Sequence, residues 1–245
     1  MRKYYWAEHE AAYRRIEREG KSQWNDLYED VGADDFANRA FLERVLPRLG
    51  LSQSADTNVL EYGCGTGRTA CFLAAQGFSV DAFDLIPQAI SLARRFARDR
   101  GVQVNFSVHD VCDMANEPAA RHYDLVVDSY CLQSIVLDAD RARLLGAVHA
   151  RLESAGYYVL STAMYDPQRD YEPGFRYDEH TGICYEEAAE NDAGAIEIDG
   201  AWHLPHRRHL KPPALRKELM RSGFHVRSQE GALGGDLVCT RAAGA

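Results

Sequence analysis

The feature that most constrains this chain is a glycine-rich turn, Gly63-Cys64-Gly65-Thr66-Gly67, at the end of the apolar run 58–62. Glycines at alternate positions let the backbone turn sharply and approach a ligand closely. An apolar strand, such a turn and then helical periodicity over 69–76 open an alternating strand–helix unit. The rhythm continues. Strands are expected at 79–83, 103–108, 124–129 and 157–162. A helix is expected over 87–100, with Pro87 in its first turn and Gly101 just past its end, where each residue is favoured. Asp138 can cap a further helix that presents Leu144, Leu145, Val148 and Leu152 on one face. Strands alternating with helices imply an α/β fold with a doubly wound, mostly parallel sheet.

After residue 162 the rhythm breaks for about fifty residues, then resumes with a helix at 213–222 and strands at 224–229 and 236–241. A connection this long between sheet elements is functional or disordered. Here it holds Tyr165, Tyr171, Phe175, Tyr177, Tyr185 and Trp202, and so many aromatics favour an ordered lid. The expected organisation is an N-terminal helical cap over 1–50 and a catalytic-type domain over 51–245, with a lid insertion at 163–210.

Acids stand where the first three strands end: Glu61, Asp84 and Asp110. Neighbouring parallel strands present their carboxyl ends at one crevice, so the three carboxylates converge on one ligand. Glu61 would repel a pyrophosphate and pair well with an ammonium group. Asp84 can accept from two ribose hydroxyls and Asp110 from an exocyclic amine. The dinucleotide spacing G-x-G-x-x-G is not met, because the third glycine comes one residue early. A cationic, phosphate-free nucleoside fits this set, and NAD does not.

The stretches E-Y-G-C-G-T-G (61–67), V-D-A-F-D (80–84), H-D-V (109–111) and Y-D-L-V-V-D (123–128) resemble the class I S-adenosylmethionine-dependent methyltransferase superfamily. The resemblance runs from about residue 24 to 161 and takes in the last helix and two strands. Ser154-Ala155-Gly156 departs from the family's Pro-Gly-Gly, at a turn and not at the site. The resemblance implies a seven-stranded sheet whose last strand is antiparallel, with S-adenosylmethionine as cofactor. It implies cofactor contacts from Glu61, Gly63, Cys64, Gly65, Gly67, Asp84, Leu85, Asp110, Val111 and Asp128. The run 23–28 is similar to the W-x-x-x-Y stretch of small-molecule members, including the tellurite-resistance and thiol methyltransferase groups. Trp24 and Tyr28 are therefore candidate acceptor contacts.

Asp128-Ser129-Tyr130-Cys131 is not the D-P-P-Y motif of members that act on nucleic-acid bases, and Tyr130, Gln133 and Tyr165 join the acceptor candidates. Tyr130, His203 and His206 are the candidate catalytic groups. The three histidines 203, 206 and 209, spaced by three, suggest a base or a metal. Pro205 breaks any helix that would align them, so no metal is expected. A methyl acceptor with a nitrogen or sulfur nucleophile is favoured, since such lone pairs attack with little help from side chains.

Charge and cysteines bound the partners. The net charge of -9 argues against nucleic acid, and residues 166–200 alone hold eleven acids against two bases. The small-molecule acceptor is the expected partner; these patterns do not address oligomeric state. Six cysteines without a C-x-x-C pair suit a reducing, cytoplasmic setting. The N-terminus lacks an apolar signal region, and no run approaches membrane-spanning length. Two alternatives stay open: a methyltransferase for a protein or lipid, which would carry an open groove, and a non-catalytic cofactor-binding module.

Overall fold

The computed structural model describes residues 4–21, 35–117, 121–169, 174–192, 194–231 and 233–242. Among the described residues, α1 (Trp6–Arg18) and α2 (Arg39–Val45) precede the sheet. Then come β1 (Asn58–Tyr62), α3 (Arg68–Ala75), β2 (Ser79–Asp84), α4 (Pro87–Arg100), β3 (Asn105–Val108) and β4 (Tyr123–Ser129). They are followed by α5 (Asp138–Arg151) and β5 (Leu152–Ser161). Strands β6 (Phe175–Asp178), β7 (Ile183–Glu187), β8 (Ile196–Ile198) and β9 (Ala201–Arg208) come next. The chain closes with α6 (Pro212–Arg221), β10 (Phe224–Glu230) and β11 (Asp236–Arg241).

Seven strands form one sheet in the order β10-β11-β5-β4-β1-β2-β3. The five strands β1–β5 are parallel, and β11 runs antiparallel to both β5 and β10. This is the doubly wound, seven-stranded arrangement expected from the sequence. The strand order reverses direction at β1 and β4, so their carboxyl ends border a crevice. Val59, Leu125, Val127 and Val159 point to one packed face, and Leu60, Val126, Tyr158 and Leu160 to the other. The alternation of these strand residues between two cores shows why the runs are continuously apolar.

One boundary moved. The strand expected from Tyr157 begins at Leu152, directly after α5. Leu152 pairs with Tyr123 and Tyr157 with Leu125, so the expected turn at Ser154-Ala155-Gly156 lies as an irregularity inside β5.

The fifty-residue break holds a second, four-stranded antiparallel sheet in the order β6-β7-β9-β8. It is rooted beside the main sheet by a bridge between Met164 and Leu210. Strand β9 packs on the 3-10 turn Leu132–Ser134 that follows β4. Helix α1 lies against α4, burying Tyr13 and Ile16 with Ile86, Ala89 and Leu92. No helix among the described residues is long and apolar enough to cross a membrane.

Candidate active site

A cavity of about 540 Å³ opens at the carboxyl ends of β1, β2, β3 and β4. That size suits a nucleoside with an amino-acid tail. Ten of the residues singled out in the sequence line it: Glu61, Gly63, Cys64, Gly65, Asp84, Leu85, Asp110, Val111, Tyr130 and Gln133.

Glu61 sits at the inner wall and is 1% exposed. Burial drives its pKa up to about 8, against the pull of the nearby Ser129 hydroxyl, Ala70 amide and Thr69 hydroxyl. Its Oε2 atom is buried and has no hydrogen-bond partner. A carboxylate oxygen left bare in a cavity wall is costly unless a ligand donor meets it. The ammonium of an S-adenosylmethionine-type ligand is such a donor, so the residues present fit the group the resemblance implies.

The glycine loop is tied to β2 by the Cys64 amide, which donates to the Phe83 carbonyl at 3.0 Å. Asp84 accepts from the Gly65 amide at 2.9 Å and from the Ile86 amide at 2.9 Å. Burial raises the Asp84 pKa, and these amides pull against it. Each oxygen keeps a second lone pair for a ligand hydroxyl. Gly65 has φ +53°, and an added Cβ would meet the Tyr13 hydroxyl at 2.6 Å. Asp110 accepts from the Cys112 amide at 2.9 Å and from the Tyr5 hydroxyl at 2.8 Å and 3.1 Å.

Tyr130 takes a positive φ of 66°, rare for a side chain of its size. Its amide donates to the Ser161 carbonyl at 2.8 Å, which holds this conformation at the end of β4. Non-glycine residues in such a conformation cluster at functional sites. Gln133 accepts from the Ala163 amide at 2.7 Å and so links the cavity to the root of the small sheet.

Other expected residues lie elsewhere. Asp128 is fully buried, and its oxygens take the Tyr62 hydroxyl and the amides of Cys131 and Leu132. It shapes the turn after β4 and does not line the cavity. Gly67 caps α3, and an added Cβ would meet Ala93 and the Phe106 ring at 2.8 Å, so it serves helix packing. Tyr165 stacks on Tyr177 at 5.0 Å with Lys211 over its ring, at the root of the small sheet.

His203 and His206, expected as bases, also stand outside the cavity lining. They lie on an extended strand, where residues three apart do not share a face. His203 Nδ1 contacts the Ala201 carbonyl at 3.0 Å. His206 sits between Glu186 and Glu8, and burial together with Arg207 lowers its pKa to about 4. Trp24 and Tyr28 lie outside the described residues.

The sequence reading missed part of the cavity wall. His9 and Tyr13 reach it from α1, with Tyr5 from the turn just before, Arg68 from α3, His109 from the end of β3 and Arg207 from β9. Helix α1 is pinned over the cavity. The Tyr4 hydroxyl accepts from the Val136 amide at 2.7 Å. Glu8 forms a two-pronged ion pair with Arg207 at 2.7 Å and 2.5 Å. The cluster Tyr4-Tyr5-Trp6 was a visible signal of an anchored N-terminus; its targets were not.

The strand order and the cavity at its carboxyl edge define the class, a doubly wound α/β domain with a nucleoside-sized site at its switch point. The chain belongs to the methyltransferase-domain family, whose model matches residues 35–229. It is 34% identical over 125 residues to a ubiquinone biosynthesis O-methyltransferase of Xanthomonas axonopodis pv. citri (strain 306). That match covers 51% of this chain and 49% of the relative, so the chain spans about half the length of the curated relatives it matches. Among solved structures, an S-adenosylmethionine-dependent methyltransferase from Clostridium acetobutylicum ATCC 824 superposes with TM-score 0.64. It covers 94% of this chain and 99% of its own at 15% identity, a likeness of fold. The glycopeptide N-methyltransferase MtfA, complexed with S-adenosylmethionine, gives TM-score 0.55 at 25% identity over 83% of this chain and 93% of its own.

Proposed function

We propose that this protein transfers the methyl group of S-adenosylmethionine to a small molecule. The observation that carries the reading is the bare, buried Glu61 Oε2 in a cavity walled by the glycine loop, Asp84 and Asp110. When bound, the sulfonium supplies an electrophilic methyl. The chain supplies position. Glu61 holds the ammonium, Asp84 the ribose hydroxyls, and Asp110, oriented by Tyr5, the adenine edge. Fixing one partner so firmly turns a bimolecular displacement into a nearly unimolecular one.

Tyr130 and Gln133, at the end of β4, border the space where the acceptor must sit for in-line attack. A nitrogen or sulfur lone pair remains the favoured nucleophile, because it attacks without a dedicated base. The roof that α1 and β9 form over part of the cavity supports a small acceptor over a protein or lipid, which would need an open groove. We place the N-terminal segment and the small sheet together as the lid over this site. Free thiols at all six cysteines and the acidic charge support a cytoplasmic enzyme without nucleic-acid partners.

Calorimetry with S-adenosylhomocysteine tests the cofactor half; absence of binding would remove it. Mass spectrometry of a metabolite pool incubated with the protein and methyl-labelled cofactor tests the transfer. Label found only in protein or lipid would overturn the small-molecule reading.

A further inference from the structure

Arg207 has no part in the cofactor assignment, yet it lines the same cavity as Tyr130 and Gln133. Its side chain is 12% exposed. Three bonds fix it: Nη1 donates to Glu8 Oε2 and to the His206 carbonyl, and Nη2 donates to Glu8 Oε1. Among the described residues these bonds leave the Nε hydrogen and the outer hydrogen of Nη2 without an acceptor. The two lie parallel on one edge of the planar guanidinium, the fork that matches a carboxylate. The local backbone is built around this side chain. In the pairing of β7 with β9, Cys184 faces Arg207 and Tyr185 faces Pro205, so His206 is an extra residue. Such a bulge re-aims the side chain beside it, and bulges gather next to active sites.

The acids Glu61, Asp84 and Asp110 stand at strand ends and Arg68 reaches the cavity from α3, whereas Arg207 comes from the strand that packs on the turn after β4. We propose that Arg207 determines acceptor specificity: its open edge binds the carboxylate of a planar, aromatic acid and so aims the nucleophile at the methyl group. The proposal rests on the reading of this cavity as a methyl-transfer site. Glu8 acts as a positioning residue that holds the fork in its plane. Apolar walls, among them Phe36 and Ile135, suit the ring of such an acceptor.

The competing role for Arg207 is a latch that ties α1 to β9 through Glu8. The two roles differ in Glu8→Gln, which removes the counter-charge but keeps a hydrogen-bonding amide. Benzoate, benzamide and benzylamine are titrated by calorimetry into protein saturated with S-adenosylhomocysteine. We expect benzoate to bind at least about tenfold tighter than benzamide, the scale of a charged hydrogen-bond pair. Arg207→Lys, which keeps the charge but loses the fork, should erase that preference. Glu8→Gln should keep or strengthen it.

Benzoate binding no tighter than benzamide would overturn the proposal. So would equal loss in Arg207→Lys and Glu8→Gln, the signature of a latch. The affinity of each variant for S-adenosylhomocysteine reports whether it is folded. If the wild-type protein failed to bind that ligand, the cofactor reading would fall. The benzoate titration is then run on the free protein. There a benzoate preference lost in Arg207→Lys would keep Arg207 as a carboxylate-binding residue but overturn its role toward a methyl acceptor, and no preference would overturn both.

Discussion

The cavity has a floor and a roof, and they are assembled in different ways. The floor is the carboxyl edge of the parallel sheet. Its residues come from successive strand ends that the register brings side by side: Glu61 pairs with Ala82, and Asp84 with Val108. The strands beneath are buried almost throughout. The roof is α1 and β9, and its ties reach far along the chain. Tyr5 meets Asp110 across 105 positions, and Glu8 meets Arg207 across 199. Strand β9 holds one buried residue, His203, and β6 and β8 of the same small sheet hold none. A region with few buried apolar contacts opens at lower free energy than a core strand. On this contrast we propose that the floor binds and the roof opens. Substitutions in the floor should cut cofactor affinity, and substitutions in the roof should cut closure.

The largest effect is expected at Gly65. Gly65→Val forces a β-branched side chain into a left-handed conformation and against the Tyr13 hydroxyl. Binding of S-adenosylhomocysteine should be lost while the circular dichroism spectrum stays that of the folded domain and thermal stability falls only by the local strain, about 1–3 kcal/mol. Unchanged affinity would detach the glycine loop from the floor.

Glu61→Gln should follow, with a loss of about 2–5 kcal/mol in cofactor affinity, the scale for truncating a buried charge pair. It also carries a pH signature. The carboxyl titrates near 8 in the free fold against 4.5 in a model peptide. Between those values the folded protein holds a proton that the unfolded chain has released, so stability falls as pH rises. The ligand ammonium needs the ionised form, so wild-type affinity should climb over the same window. Glu61→Gln should flatten both dependences. A variant that kept the wild-type slope in denaturant titrations at pH 5 and 8 would place the titration elsewhere.

Asp84→Ala should cost about 1–3 kcal/mol in affinity for S-adenosylhomocysteine, as for lost hydrogen bonds to a charged acceptor. Its 2′,3′-dideoxy analogue should lose far less. Equal losses for both would show that Asp84 acts by holding Gly65 and Ile86 in place and not by taking the ribose.

What the sequence disclosed follows the same division. Glu61, the glycine turn and Asp84 were legible because strand ends in a parallel sheet are neighbours by rule, so positions along the chain become positions in space. The central strands β1 and β4 were legible because their runs are apolar on both faces. The histidines 203, 206 and 209 misled for the same reason in reverse. Spacing by three has meaning on a helix, and these residues lie in or just past an extended, bulged strand. Arg207 was hidden because its place depends on that bulge and on Glu8, and neither leaves a local pattern. Asp128 was expected as a cofactor contact from the resemblance alone, but its own turn and Tyr62 already use its oxygens.

The smallest expected effect is the one that tests the roof most directly. Tyr5→Phe removes one hydroxyl that donates to Asp110 and leaves the ring in the core cluster where it is 5% exposed. The bond spans floor and roof, so its loss should loosen α1 without unfolding it. Its net worth is about 0.5–1.5 kcal/mol, or up to about 3 kcal/mol with a charged acceptor. Hydrogen exchange reads this as faster opening of α1 amides, with β1 and β4 amides unchanged. Cofactor affinity should fall severalfold at most, because Asp110 keeps the Cys112 amide and gains a free lone pair for the ligand amine. Turnover should fall more than affinity, since an open roof admits water and leaves the acceptor unaligned. Two other results would redraw the boundary between the regions. Faster exchange in β1 along with α1 would mean that roof and floor open as one unit. A loss of affinity as large as that of Asp84→Ala would mean that the Tyr5 hydroxyl belongs to the cofactor site itself.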